Sequence, residues 1–224
     1  MYPVYIEVLS MKKIIFTLAM MLIATQVWAS EIPNLSAEDA LVKLKQGNVR
    51  YEKLHLKHPD VSKSRRKELE QGQHPFVAIL SCSDSRVPTE IIFDQGLGDI
   101  FSIRNAGNVL DKHVVGSIEY AVHHLGIKLV VVLGHESCGA VGAAMSESKE
   151  APEIESLKEA ILPACTKCKK ENKYTYENVI RTHAKLEVSE LLKDEHLSEM
   201  IKGHNVKIIP AYYNLHTGRV EFEY

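Results

Sequence analysis

Two short apolar runs constrain this chain more than anything else in it. Residues 129–133 (Leu129-Val130-Val131-Val132-Leu133) are mostly β-branched, and residues 76–80 form a second run without a polar side chain. Alternation would mark a sheet with one wet face. Unbroken runs this short mark strands buried on both faces, as in a parallel sheet with helices above and below. Each run passes directly into residues capable of chemistry. The run over 76–80 leads to Ser81-Cys82-Ser83-Asp84-Ser85-Arg86-Val87-Pro88, and that over 129–133 to Gly134-His135-Glu136-Ser137-Cys138-Gly139.

The segments between supply helices. An acid follows Ser36 by three residues, and Leu41, Leu44 and Val49 recur at helical spacing, which predicts a helix to about residue 54. Residues 62–71 predict a short exposed helix stopped at Gly72. Further helices are expected over 87–93, 114–125, 138–145, 153–162 and 176–192, with strands over 100–103, 206–213 and 220–222, the last two joined by His216-Thr217-Gly218. This alternation predicts an α/β fold over residues 30–224, a single domain with an N-terminal helical arm. Its mostly parallel central sheet is flanked by helices and has an antiparallel C-terminal edge hairpin. A chain of 224 residues is long enough for one such domain.

Residues 1–29 are expected to lie outside that domain. Met11-Lys12-Lys13 precedes an apolar stretch over 14–25 that is short for a bilayer span, and Val27-Trp28-Ala29 precedes Ser30. This is the pattern of a cleaved signal peptide, with residues 1–10 an over-extended start. It predicts a periplasmic or secreted protein with no membrane segment in its mature form. A formal net charge of −2 argues neither for nucleic acid nor for an anionic membrane surface, and neither is expected as a partner.

Sites in open α/β sheets form outside the carboxyl ends of the strands. Cys82 follows one buried run; His135 and Cys138 follow the other. Two thiols and an imidazole suit Zn²⁺, and three protein ligands leave the fourth tetrahedral position open, as catalytic zinc sites do. The helix beginning at Cys138 is expected to help hold that thiolate. Asp84 and Arg86, two apart in a segment read as extended, point the same way and can pair bidentately. The pairing keeps Asp84 ionised and turned away from the metal; with the pairing broken, Asp84 becomes a conditional fourth metal ligand. Alone, Cys82 would read as an inert packing residue, and a thiol enzyme with Cys82 as nucleophile is a separate reading.

Cys-x-Asp-x-Arg followed by His-x-x-Cys resembles the β-class carbonic anhydrases. So do Leu44-Lys45-Gln46-Gly47-Asn48-Val49-Arg50-Tyr51, Gly72-Gln73-His74-Pro75, Arg104-Asn105-Ala106-Gly107-Asn108 and Gly116-Ser117-Ile118-Glu119-Tyr120-Ala121, and the likeness spans nearly the whole mature chain. It implies one Zn²⁺ per subunit on Cys82, His135 and Cys138. It implies hydroxide formed at the metal that attacks CO₂ to give bicarbonate, with Asp84 orienting the hydroxide and Arg86 orienting Asp84. Substrate contacts are implied at Gln73, Phe101, Ala106, Tyr120 and the Gly139 backbone. The assembly implied is a homodimer, or a tetramer built as a dimer of dimers, with the pocket at the subunit interface. Relatives with a non-catalytic bicarbonate site carry Trp three residues before the first zinc Cys. Here Ile79 stands at that position, alongside Arg104 and Tyr213, so no such site is expected and Asp84 is expected to stay off zinc near neutral pH. The alternatives are a CS₂ or COS hydrolase of the same fold and a non-catalytic zinc or bicarbonate-binding protein; the intact Asp84–Arg86 pair weighs against the latter.

Cys165-Thr166-Lys167-Cys168 has no second Cys-x-x-Cys to complete a structural zinc site and lacks the context of a redox motif. In an oxidising compartment it is the candidate for a local disulfide tightening a surface loop. His123, His124, His183, His196, His204 and His216 read as surface or packing residues, one of which could shuttle protons to buffer.

Overall fold

The computed structural model describes residues 35–146 and 148–223, so the predicted signal segment lies outside the described residues. One sheet runs in the order β2-β1-β3-β4-β5, with β1 at Val77–Cys82, β2 at Ile100–Asn105, β3 at Leu129–His135, β4 at Lys207–Tyr213 and β5 at Val220–Phe222. The first four strands are parallel and β5 is antiparallel to β4, as the alternation predicts. The helices are α1 (Ala37–Glu52), α2 (Lys63–Leu69), α3 (Thr89–Ile92), α4 (Lys112–His123), α5 (Gly139–Met145), α6 (Pro152–Lys170), α7 (Tyr176–Leu191) and α8 (Glu195–His204), with a 3₁₀ turn at Ala106–Asn108.

The two faces of the sheet explain the unbroken apolar runs. Val77, Ile79, Val131 and Leu133 pack with Ala40 and Leu44 of α1 and Ile92 of α3. The alternate residues Ala78, Leu80, Val130 and Val132 pack with Ile118 of α4, Ala184 of α7 and Leu197 of α8. Side chains alternate across a strand, so a strand covered on both sides buries every residue, as β1 and β3 do. Beyond the carboxyl ends lies a third cluster, in which Cys82, Cys138, Val141 of α5, Ile161 of α6 and Ile180 of α7 meet. From β1 the chain crosses to β2 on one side, and β3 lies on the other. The carboxyl ends of β1 and β3 therefore form the switch point where such sheets build their sites.

Two segments differ from expectation. Helix α6 runs well past residue 162, through Pro163, because Ile161, Ala164, Cys165 and Cys168 keep one buried face at helical spacing. Cys165 and Cys168 therefore lie on a helix rather than a surface loop, and both are buried and free; Cys168 Sγ donates to Thr182 Oγ1 at 3.3 Å. Helix α8 was not predicted. It is short, it is capped by the Asp194 side chain accepting from Leu197 N, and only Leu197 on it is buried. So narrow an apolar stripe gives little periodic signal.

Asn48 ties the first helix to α3 and to the C-terminal hairpin. Its Nδ2 donates to Ile92 O at 3.2 Å and Gly218 O at 2.9 Å, and its Oδ1 accepts from Val220 N at 2.8 Å. Truncation leaves three backbone groups unpaired near the core. Asn48→Ala is expected to cost about 2–4 kcal/mol, read as a lower urea midpoint at unchanged slope.

Candidate metal centre

Strand pairing sets the centre. In the β1–β3 ladder Ser81 pairs with Leu133, so Cys82 and His135 emerge side by side at the carboxyl ends. Cys138 is then turned back toward them. Glu136 N donates to Tyr213 O at 2.8 Å, the Glu136 carboxylate accepts from Leu215 N at 2.9 Å, and Ser137 adopts a φ of +54°. Tyr176 Oη donates to Cys138 O at 2.5 Å and fixes the start of α5. One ligand atom from each of Cys82, His135 and Cys138 lies within 4.8 Å of the others, and all three residues are buried.

The donor set fits Zn²⁺. His135 Nδ1 lies 2.9 Å from Glu136 O, an acceptor, so Nδ1 carries the proton and Nε2 carries the lone pair. That Nε2 is buried and has no hydrogen-bond partner. A buried lone pair facing two thiols is costly without a cation and well used with one. The thiols point the same way. A hydrogen bond from Cys138 chiefly, with another from the Gly107 N–H, draws the Cys82 thiol well below the ordinary thiol range. Donating that bond, together with burial, pushes Cys138 far above the ordinary thiol range. Two adjacent thiolates repel each other, and a divalent cation between them removes the penalty.

Asp84 and Arg86 pair as expected, but in a turn rather than an extended segment. Val87 N donates to Asp84 O at 3.0 Å and closes the turn. Arg86 Nε donates to Asp84 Oδ1 at 2.9 Å and Nη2 to Oδ2 at 2.7 Å; Arg86 N also donates to Oδ1 at 2.9 Å. The Arg86 side chain holds the Asp84 carboxyl well below the usual carboxylate range. Asp84 Oδ2 lies 3.9 Å from His135 Nε2, so the ionised carboxylate faces the ligand cluster.

Three contacts around the ligands were not assigned from sequence. Arg104 Nε donates to Cys82 O at 3.1 Å and its Nη2 to Asp84 O at 2.8 Å, pinning the segment that carries both. Gly107 N donates to Cys82 Sγ at 3.3 Å. The third is the Tyr176 bond to Cys138. The Arg104–Asn108 motif signals the first two only as part of a pattern; the Tyr176 contact comes from a helix distant in sequence and has no local signal.

The sequence-predicted substrate residues fall into two groups. Ala106 and Gly139 flank the ligands, Ala106 beside Gly107 and Gly139 beside Cys138, and both are exposed. Phe101 is instead paired with Ala78 near the amino ends of the strands, while Cys82 pairs with Asn105. At about 3.3 Å per residue, Phe101 is ~13 Å along the sheet from Asn105. Tyr120 stacks on Phe101 with ring centroids 6.1 Å apart, and so belongs to that far group. Gln73 precedes β1, and three residues of chain cannot carry it closer than about 10 Å to Cys82 in the same subunit.

A sequence model of the carbonic anhydrase family matches residues 77–220. Carbonic anhydrase 2 of Mycobacterium tuberculosis is 38% identical over 84% of this chain and 93% of its own length. The carbonic anhydrase of Mycolicibacterium smegmatis is 37% identical over 85% of this chain and 95% of its own. Among solved structures, a tetrameric β-carbonic anhydrase from Sordaria macrospora superposes with a TM-score of 0.65 at 26% identity, covering 70% of this chain and 84% of that one. The β-carbonic anhydrase of Aspergillus fumigatus gives 0.62 at 28% identity, over 83% of this chain and 89% of that one. With this parallel sheet and its Cys-His-Cys cluster, the chain belongs to the β-carbonic anhydrase family.

Proposed function

We propose that this protein is a zinc-dependent enzyme that interconverts CO₂ and bicarbonate. The observation that carries the reading is the bare, buried His135 Nε2 facing Cys82 and Cys138 beside a carboxylate locked by Arg86. Cys82, His135 and Cys138 would hold zinc, which when bound supplies a Lewis acid that makes hydroxide available near neutral pH. Asp84 would accept a hydrogen bond from the attacking hydroxyl and so orient it toward the carbon of CO₂. Arg86 occupies both carboxylate oxygens, which keeps Asp84 ionised and prevents it from swinging onto the metal. Ala106 presents an apolar surface suited to a nonpolar substrate. Hydration of one CO₂ gives one bicarbonate and one proton, which passes to buffer. Stopped-flow CO₂ hydration tests this: a wild-type protein with one zinc per chain and no hydration activity would sink it.

Placing Gln73, Phe101 and Tyr120 far from Cys82 of their own subunit supports a site completed by a second copy. A homodimer, or a tetramer of two such dimers, would bring these three residues of one chain over Asp84 of the other. Co-expressing Asp84→Asn with Gln73→Ala tests the geometry. In a mixed dimer one site carries both defects and the other none, so random pairing is expected to restore roughly a quarter of wild-type activity. Sites built within single chains would show no such restoration. The basic, apolar and small-residue pattern over residues 11–29 further supports export. Expression with its own leader is expected to release a mature chain whose first residue, by N-terminal sequencing, is Ser30.

A further inference from the structure

A buried pair of titratable residues lies beneath the metal centre and has no part in the chemistry described above. His183 and Glu187 sit one turn apart on α7, 2% and 7% exposed. His183 Nε2 is 2.9 Å from Gly107 O, an acceptor, so Nε2 carries a hydrogen and donates. Glu187 Oε2 accepts from Leu110 N at 2.7 Å. The remaining atoms, His183 Nδ1 and Glu187 Oε1, face each other at 3.5 Å. Two bare acceptors would repel, so one proton lies between them. Burial draws His183 down to about 4 and raises Glu187 to about 7, which favours the neutral pair with the proton on Glu187.

Packing alone would be served better by apolar side chains of the same volume. What the pair grips is the turn over residues 106–110, at the end of β2. Asn105 holds the same turn from its other side, with Oδ1 accepting from Val109 N at 3.0 Å and Nδ2 donating to Val109 O at 2.8 Å. Gly107 has a φ of +80°, and a Cβ there would lie 2.8 Å from Ala140 Cβ, so the turn is pressed against α5. The N–H of this gripped glycine points at Cys82 Sγ at 3.3 Å.

We propose that His183 and Glu187 are positioning residues of the metal centre: they clamp the 106–110 turn through Gly107 O and Leu110 N, and so keep the Gly107 N–H on the Cys82 sulfur. This rests on the reading of Cys82 as a zinc ligand. An N–H bond to the sulfur fixes the direction of its lone pair and withdraws charge from it, much as a partner on the far nitrogen of a histidine ligand orients that ring. Losing the clamp lets the turn shift, weakens metal binding and leaves a more electron-rich thiolate.

Two readouts independent of turnover test this on the full-length protein: zinc affinity by competition with a chromophoric chelator, and the thiolate-to-metal charge-transfer band of the Co²⁺-substituted protein. His183→Ala and Glu187→Ala are each expected to weaken zinc binding by about 10–100-fold and to move the band to longer wavelength. Glu187→Gln retains an oxygen for Leu110 N–H and an amide to donate to His183 Nδ1, and is expected to stay within about threefold of wild type. Should the alanine variants fail to fold, the double variant His183→Leu/Glu187→Met fills the same space and is expected to show the same weaker binding and shifted band. Variants that lower the melting temperature yet keep wild-type zinc affinity and band position would overturn the proposal. A wild-type protein that binds neither zinc nor cobalt would overturn both this inference and the functional reading beneath it; wild-type binding with every variant unchanged would overturn this one alone.

Discussion

Asp84→Asn is expected to lower kcat/KM for CO₂ hydration by about 10²–10³-fold with no loss of bound zinc. The substitution is nearly isosteric, so packing contributes little to the effect. Both carboxylate oxygens accept from Arg86, and Oδ2 also faces His135 Nε2 at 3.9 Å. An asparagine offers one oxygen and one NH₂. If the oxygen stays with Arg86, the NH₂ faces the ligand cluster and cannot accept a hydrogen bond from the attacking hydroxyl. If the amide flips, its NH₂ meets the guanidinium and the turn opens. Either way the arrangement that presents an ionised acceptor to the cluster while both guanidinium donors stay paired is lost. Arg86→Lys should lie between this variant and wild type, because a single ammonium cannot engage both oxygens at once. Zinc content by elemental analysis, measured beside stopped-flow hydration, separates this from metal loss. A zinc-replete Asp84→Asn enzyme with wild-type activity would remove Asp84 from the mechanism.

Cys82→Ser is expected to lose zinc and, with it, nearly all activity. Removing a group that only orients a ligand costs about 10–100-fold in metal affinity, and removing the ligand itself should exceed that. Serine is close to cysteine in size, but its hydroxyl stays protonated at neutral pH and is a poor ligand for a borderline-soft cation. The site is buried and partly apolar, with Val109, Val141 and Ile161 in the same cluster, so the domain keeps its packing. The expected result is a folded protein of wild-type circular dichroism with well under one zinc per chain after gel filtration against a chelator. Retention of stoichiometric zinc would show that Cys82 is not a ligand. Zinc loss with unfolding would show instead that the metal holds the fold together.

The architecture and the ligands were legible in the sequence to different depths. The runs over 76–80 and 129–133 gave the buried parallel strands because a strand covered on both faces leaves no polar position to interrupt it. Ser36 gave the start of α1, where its side chain accepts from Asp39 N. Helix α6 extends past its expected end at residue 162 because Pro163 and a charged stretch hide a buried face that only packing against α7 and the ligand cluster creates. Cys165 and Cys168 lie on this helix and not on the expected loop, since a Cys-x-x-Cys spacing fits a tight loop and one turn of helix equally well. His183, read as a surface or packing residue, is buried against Gly107; a single histidine in a helix carries no mark of what lies across from it.

The sequence by itself determined which side chains could bind a metal, that they followed buried strands, and that a carboxylate and a guanidinium stood two residues apart. These are properties of composition and short-range spacing. Only the tertiary structure decided that Ser81 pairs with Leu133, and so that Cys82 and His135 share one end of the sheet. It also decided that Asp84 and Arg86 close a turn, that Gly107 N–H reaches Cys82, and that Gln73, Phe101 and Tyr120 lie away from their own subunit's ligands. Each depends on register and crossover between segments far apart in the chain. Those are fixed by the joint burial of both sheet faces, a property of the whole domain that no local stretch encodes.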